Sequence, residues 1–222
     1  EASDIVTREE WKNFNNFSGD NVKFKGVQGF GFVTIIKQQE LKSHILSIRN
    51  SGFPNYTVFP AADRALYTSI IYIEPFNQKN AITLGYDMFS ETVRRKAMET
   101  ARDQNKPTLS GKVILRLENK KNSQAGVLMY APAFKEIPMQ TVEARRKAII
   151  GWVFTAFRME DFIHSILGNS YINDKTNIRL QIYDNAIISP QTLLFDSHKT
   201  IPNTAFSVTT QTQTAFVENK KC

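Results

Sequence analysis

The chain has 222 residues, of which 41% are hydrophobic, and 28 Lys and Arg stand against 21 Asp and Glu for a net charge of +7. That much apolar material excludes a largely disordered chain and suits one large domain or two small ones. The modest positive excess permits an anionic ligand, a membrane surface or nucleic acid without requiring any of them, and the single cysteine, Cys222, excludes an intrachain disulfide and a thiolate metal cluster.

Thr7-Arg-Glu-Glu10 has the pattern of a capping box and predicts a helix start, with Trp11, Phe14 and Phe17 at near-helical spacing behind it. Gly26 to Lys37 combines aromatic and β-branched residues and predicts a buried strand. The next stretch places Leu41, Ile45 and Ile48 on one helical face and stops before Gly52, a helix-ending residue. Tyr56 to Phe59 reads as a short strand and Tyr67 to Pro75 as a longer one. Ser90 is placed to cap a helix whose inner face carries Val93, Ala97 and Ala101 and which ends at Asn105 to Pro107.

Strands are predicted from Gly111 and from Ala125, followed by a short helix over Val142 to Lys147. The order of elements then repeats in outline: a buried strand at 148–157, a helix at 159–167, and strands near 178–184, 192–196 and 205–209. Antiparallel strands with helices across one face predict an α+β chain of two subdomains in tandem, with room for a small molecule between sheet and helix. The basic clusters Arg94 to Lys96, Lys120 and Lys121, Arg145 to Lys147, and Lys220 and Lys221 read as exposed faces. The apolar run from Ala148 to Phe157 is about half the length of a membrane-crossing helix. The start at Glu1 and the end in VENKKC suggest an excised piece of a longer protein.

Signals for chemistry are sparse. His44, His164 and His198 have no partner at metal spacing, so no metal and no cofactor is expected. No nucleophile elbow or phosphate loop occurs. Asp87 and Glu74, beside predicted strands, leave open a small carboxylate-dependent hydrolase. The aromatic content leaves open single-stranded nucleic-acid binding, although Phe30, Phe32, Tyr72, Trp152, Phe154 and Phe157 sit within apolar runs and read as core.

The ordered set GVQGFGFV, YTSIIYIEP, LGYDM, RRKAMETARDQNKPTLSG, AGVLMYAPAFK, IIGWVFTAFRMEDFIHSILG and IRLQIYD resembles the CHASE domain, the extracytoplasmic sensor module of membrane histidine kinases and nucleotide cyclases, including diguanylate cyclases. The resemblance implies an N-terminal stalk helix (1–25), a membrane-distal PAS-like ligand-binding subdomain (26–135) and a membrane-proximal PAS-like subdomain (136–222). It also implies a periplasmic location between transmembrane helices of a dimeric parent, a small organic ligand that is purine- or cytokinin-like, no nucleic-acid partner and no catalysis by the domain itself. In the plant cytokinin receptors of this family an aspartate contacts the adenine ring. Ala65 falls at that position here and Asp63 two residues before it, and a methyl group cannot hydrogen-bond a purine. Alternation along the strand places Tyr67, Ser69 and Ile71 with Ala65 on the expected pocket face. Tyr86, Leu109, Gly111, Val113, Leu128 and Tyr130 complete the expected lining.

Overall fold

The computed structural model describes residues 7–17, 26–115, 124–168 and 179–198. The capping box at Thr7 forms as expected: the Glu10 amide donates to Thr7 Oγ1 at 3.2 Å and the Thr7 amide to Glu10 Oε2 at 2.7 Å. It starts α1 (Arg8–Phe17), whose Trp11 ring stacks on Phe30 at 4.8 Å and lies 5.7 Å from Tyr72. Helix α1 is therefore docked on the sheet through its first turn.

The strands β1 (Val27–Lys37) and β2 (Leu66–Glu74) flank α2 (Leu41–Asn50). After β2 come the single turn α3 (Gln78–Ala81), then α4 (Thr92–Gln104), the two-residue strands β3 (Thr108–Leu109) and β4 (Val113–Ile114), and β5 (Ala125–Phe134). Helix α5 (Val142–Ala148) leads directly into β6 (Ile149–Arg158) and α6 (Met159–Leu167), and a hairpin of β7 (Gln181–Tyr183) and β8 (Leu193–Asp196) closes the described chain. The main sheet is antiparallel with the order β2-β1-β6-β5-β3, and β4 also pairs with β5.

That order moves one predicted strand. The segment at 148–157 was expected to open a second subdomain, yet β6 is hydrogen-bonded between β1 and β5 at the centre of the first sheet. Its composition requires this: Trp152, Phe154 and Ala156 are buried on one face while Val153 and Phe157 are half-buried on the other, and a strand apolar on both faces needs cover on both. The expected boundary between residues 135 and 136 thus falls within the connection of two adjacent strands. Of the second sheet, the described residues form only β7 and β8. They pack on α6 through Phe195, which meets His164 edge-on at 5.7 Å. The expected strand at 205–209 lies outside the described residues.

The sheet separates two apolar layers. On one face α4 covers Val33, Ile70, Leu128, Tyr130, Trp152 and Phe154, and the buried Trp152 Nε1 donates to the Met98 carbonyl of α4 at 2.9 Å. On the other, α2 places Leu41, Ile45 and Ile48 over Ile36, Tyr56, Val58 and Tyr67. The face of α4 is the predicted one, with Ala97 and Ala101 buried and Val93 packed beside them. Its cap is not. Glu91, one residue beyond Ser90, accepts from the amides of Val93 and Arg94 at 2.9 and 3.1 Å, because its carboxylate offers two acceptors to the exposed helix start. Ser90 ends a preceding 3-10 turn and donates to the Asp87 carbonyl. The short strand expected at 56–59 reduces to one bridge, between Phe59 and Tyr86.

Glycine is required at Gly31. A Cβ there would lie 2.4 Å from the Tyr72 carbonyl oxygen and 2.6 Å from the Phe154 ring, which covers the bare backbone of its cross-strand partner.

Candidate functional site

Two bulges shape a cavity between the sheet and the start of α4. In β1 the register with β6 shifts between Val27 and Gly29, so Gln28 and Gly29 both reach the cavity. In β2 the register with β1 shifts at Ile71, so Ile70 and Ile73, three apart, share the face that strict alternation would have divided between them. Thr83, Tyr86 and Met88 close one side, Leu115, Leu128, Phe154 and Ala156 the other, and Arg94 reaches in from the first turn of α4. The space between them is about 40 Å³, room for about three waters.

The segment Gly85-Tyr86-Asp87 is strapped to its surroundings by hydrogen bonds on both sides. The Gly85 amide donates to the Ile70 carbonyl at 2.9 Å, the Ile70 amide to the Tyr86 carbonyl at 3.2 Å, and the Asp87 amide to the Phe59 carbonyl at 2.7 Å. Gly85 has φ +91° and passes so close to the Thr57 carbonyl that a Cβ would overlap it. The fully buried Asp87 then locks the strap. Its Oδ1 accepts from the Thr68 amide and hydroxyl, each at 2.9 Å, and from the Phe89 amide at 3.1 Å; its Oδ2 takes Arg64 Nη1 at 3.0 Å. A carboxylate with this many donors is a structural anchor. Glu74 is six positions further along the strand, about 20 Å away, and accepts instead from the Phe76 amide. The two carboxylates considered for hydrolysis do not converge.

Arg94 is buried although its cluster reads as an exposed face. Its Nη1 donates to Glu91 Oε2 and its Nη2 to the Ile114 carbonyl, both at 3.0 Å, and its guanidinium lies 5.6 Å from the centre of the Tyr86 ring. Arg95 and Lys96 remain exposed. Behind the cavity Tyr130 is completely enclosed; burial raises its phenol above the ordinary range, so the neutral hydroxyl donates to Met88 Sδ at 3.5 Å.

The expected pocket residues divide sharply. Tyr86 and Leu128 line the cavity, and Val113 and Tyr130 belong to the same buried cluster just behind it. Tyr67 and Ser69 face the opposite side of the sheet, where Tyr67 donates to the Ala62 carbonyl at 2.7 Å and Ser69 Oγ lies 2.6 Å from Tyr56 Oη. Tyr56 Oη also lies 2.8 Å from His44 Nε2; burial pushes the Tyr56 phenol up to about 12 and lowers His44. Ile71 is the bulge residue, and its carbonyl accepts from Arg8 Nη2 at 2.8 Å. Asp63 and Ala65 are exposed, with Asp63 accepting from Gln38 Nε2. Leu109 is exposed on β3, and Gly111 is packed against Val93 and the Asp184 carboxylate.

Gln28, Ile70, Ile73, Arg94 and Phe154 were not expected at the cavity. The signal for the strand residues was weak, since Tyr67 to Ile70 are all buried and no alternation distinguishes the two faces of β2. Among the described residues no helix is long and apolar enough to cross a membrane. The family model described as the CHASE domain matches residues 4–195. No curated protein matches the chain.

Proposed function

The chain belongs to the CHASE domain family, the extracellular sensor domains of membrane receptors, and on that premise we propose that it binds a small organic ligand in the cavity beneath α4 and passes the event to the rest of its receptor. The observation that carries this reading is the cavity itself: a partly open, mostly apolar space with Arg94, Gln28 and Thr83 as its polar side chains. Such a mixture holds a ligand and fixes its orientation without performing chemistry on it. The domain is not an enzyme in this reading. Its parent is a membrane protein, a histidine kinase or diguanylate cyclase acting as a dimer, with the domain on the periplasmic side.

Two contacts support a route outward. Lys112, between β3 and β4, donates its amide to Asp184 Oδ2 at 2.7 Å and its ammonium to the Pro190 carbonyl at 2.9 Å, tying the segment just before β4 and Leu115 to the β7–β8 hairpin. Arg8 joins α1 to the β2 bulge between two cavity residues. A ligand that prefers one arrangement of β2 and α4 biases both connections. The tandem PAS-like organisation belongs to this proposal, with residues 26–158 as the ligand-binding unit and the β7–β8 region as part of the second.

A thermal-shift screen of purines, amino acids and organic acids tests the reading. A true ligand raises Tm in step with the logarithm of its concentration, and Ala156→Leu, which fills the cavity, abolishes the rise. Hits that survive Ala156→Leu, or no hits in a well-folded sample, overturn it.

A further inference from the structure

We propose that the cavity ligand is a small carboxylate that also carries a hydrogen-bond donor, such as a hydroxy- or amino-substituted short-chain acid, with its carboxylate on Arg94 and its donor on Gln28 Oε1. This rests on the sensor reading above and specifies its ligand.

The first observation is a buried cation at an apolar wall. Arg94 is 5% exposed, and Ile70, Ile73, Leu128 and Phe154 are buried around the same space. Its neighbour Glu91 is about one-third exposed and already accepts from the amides at the start of α4, so solvent and the helix terminus share that negative charge. Of the five guanidinium donors, two are used among the described residues, on Glu91 and on the Ile114 carbonyl. The rest of the planar fork is suited to a carboxylate, which it binds more strongly than a neutral acceptor.

The second observation is independent. Gln28 Oε1 is buried and accepts no hydrogen bond from the described residues, although the β1 bulge brings this residue to the cavity. The carbonyl of the same residue does have a donor, taking Asn80 Nδ2 at 3.3 Å. A buried acceptor without a donor is costly, and a ligand N–H or O–H relieves that cost. Arg94 and Gln28 both line one cavity, so one molecule with an anionic end and a donor answers both groups.

Size limits the class. The 40 Å³ space corresponds to about three waters, or on the order of 90 Å³ of liquid, which suits an acid of two to four carbons.

Calorimetric titration of the folded chain with lactate, lactamide, propionate and adenine separates the alternatives. We expect lactate to bind, and lactamide, without the charge, and propionate, without the donor, each to bind at least about tenfold more weakly. Gln28→Met keeps the side-chain length but removes the acceptor, and should bring lactate and propionate to equal affinity. Equal binding of lactate and lactamide by the unaltered chain overturns the proposal without recourse to any variant. So does a lactate preference over propionate that persists in Gln28→Met. Adenine binding that Ala156→Leu abolishes would overturn the carboxylate assignment yet leave the sensor reading intact. Failure of all four probes overturns the assignment, and the broader screen then decides the sensor reading separately.

Discussion

Replacing Asp87 tests whether the Gly-Tyr-Asp strap is an anchor and not a reactive site. The carboxylate is wholly buried and takes four donors: two from Thr68, one from the Phe89 amide and one from Arg64. The losses in Asp87→Ala are unequal. The Phe89 amide retains Thr68 Oγ1 at 2.8 Å, and Arg64, a quarter exposed, retains the Pro60 carbonyl at 3.2 Å together with water. The Thr68 amide has no such substitute, and orphaning a buried donor costs about 1–3 kcal/mol. Adding the lost charge-assisted bonds gives about 3–5 kcal/mol, the range for removing one partner of a buried pair. Asp87→Asn keeps Oδ1 as an acceptor but turns an amide toward Arg64, and should cost roughly half as much, about 2 kcal/mol. Urea unfolding followed by tryptophan fluorescence measures both. A loss below about 1 kcal/mol for Asp87→Ala would refute the reasoning, as would an Asn variant no more stable than the Ala variant.

Two further outcomes follow from the packing. Gly31→Ala forces a methyl group against the Tyr72 carbonyl and the Phe154 ring and should cost about 1–3 kcal/mol; an unchanged urea midpoint would show that β1 has slack there. Burial holds the Tyr56 phenol at about 12, above its unfolded value of about 10. A raised pKa contributes stability below the unfolded value, so that contribution is complete below about pH 10 and is lost as pH rises toward 12. Chemical denaturation across pH 9 to 12 should show a decline that is smaller in Tyr56→Phe; identical slopes would contradict it.

Much of the fold was legible in the residues. The capping box at Thr7, the Leu41, Ile45, Ile48 face, the Ala97 and Ala101 face and the long strands all arise from local periodicity and hydrogen-bonding chemistry that the chain carries within a few residues. The candidate site was legible only in part. Of the two that line the cavity, Leu128 lies on the long strand β5, where buried Leu128 and Tyr130 flank exposed Met129, and Tyr86 lies at the bridge to Phe59. Tyr67 and Ser69 were placed on the cavity face because alternation was carried along β2 from Ala65, but this strand is buried on both faces and its facing is decided by neighbours. The bulge at Ile71 then breaks the period, an event set by pairing with β1.

Composition and periodicity by themselves determined the longer helices and strands, their order and the α+β class, since each depends on groups close together in the chain. Tertiary structure alone decided that β6 completes the first sheet, that Arg94 is a buried cation and the rest of its cluster is not, and that Gln28 lies at a bulge beside the cavity. Each of these depends on partners tens of residues away, and neither the desolvation of a charge nor the register of a strand exists until those partners have met.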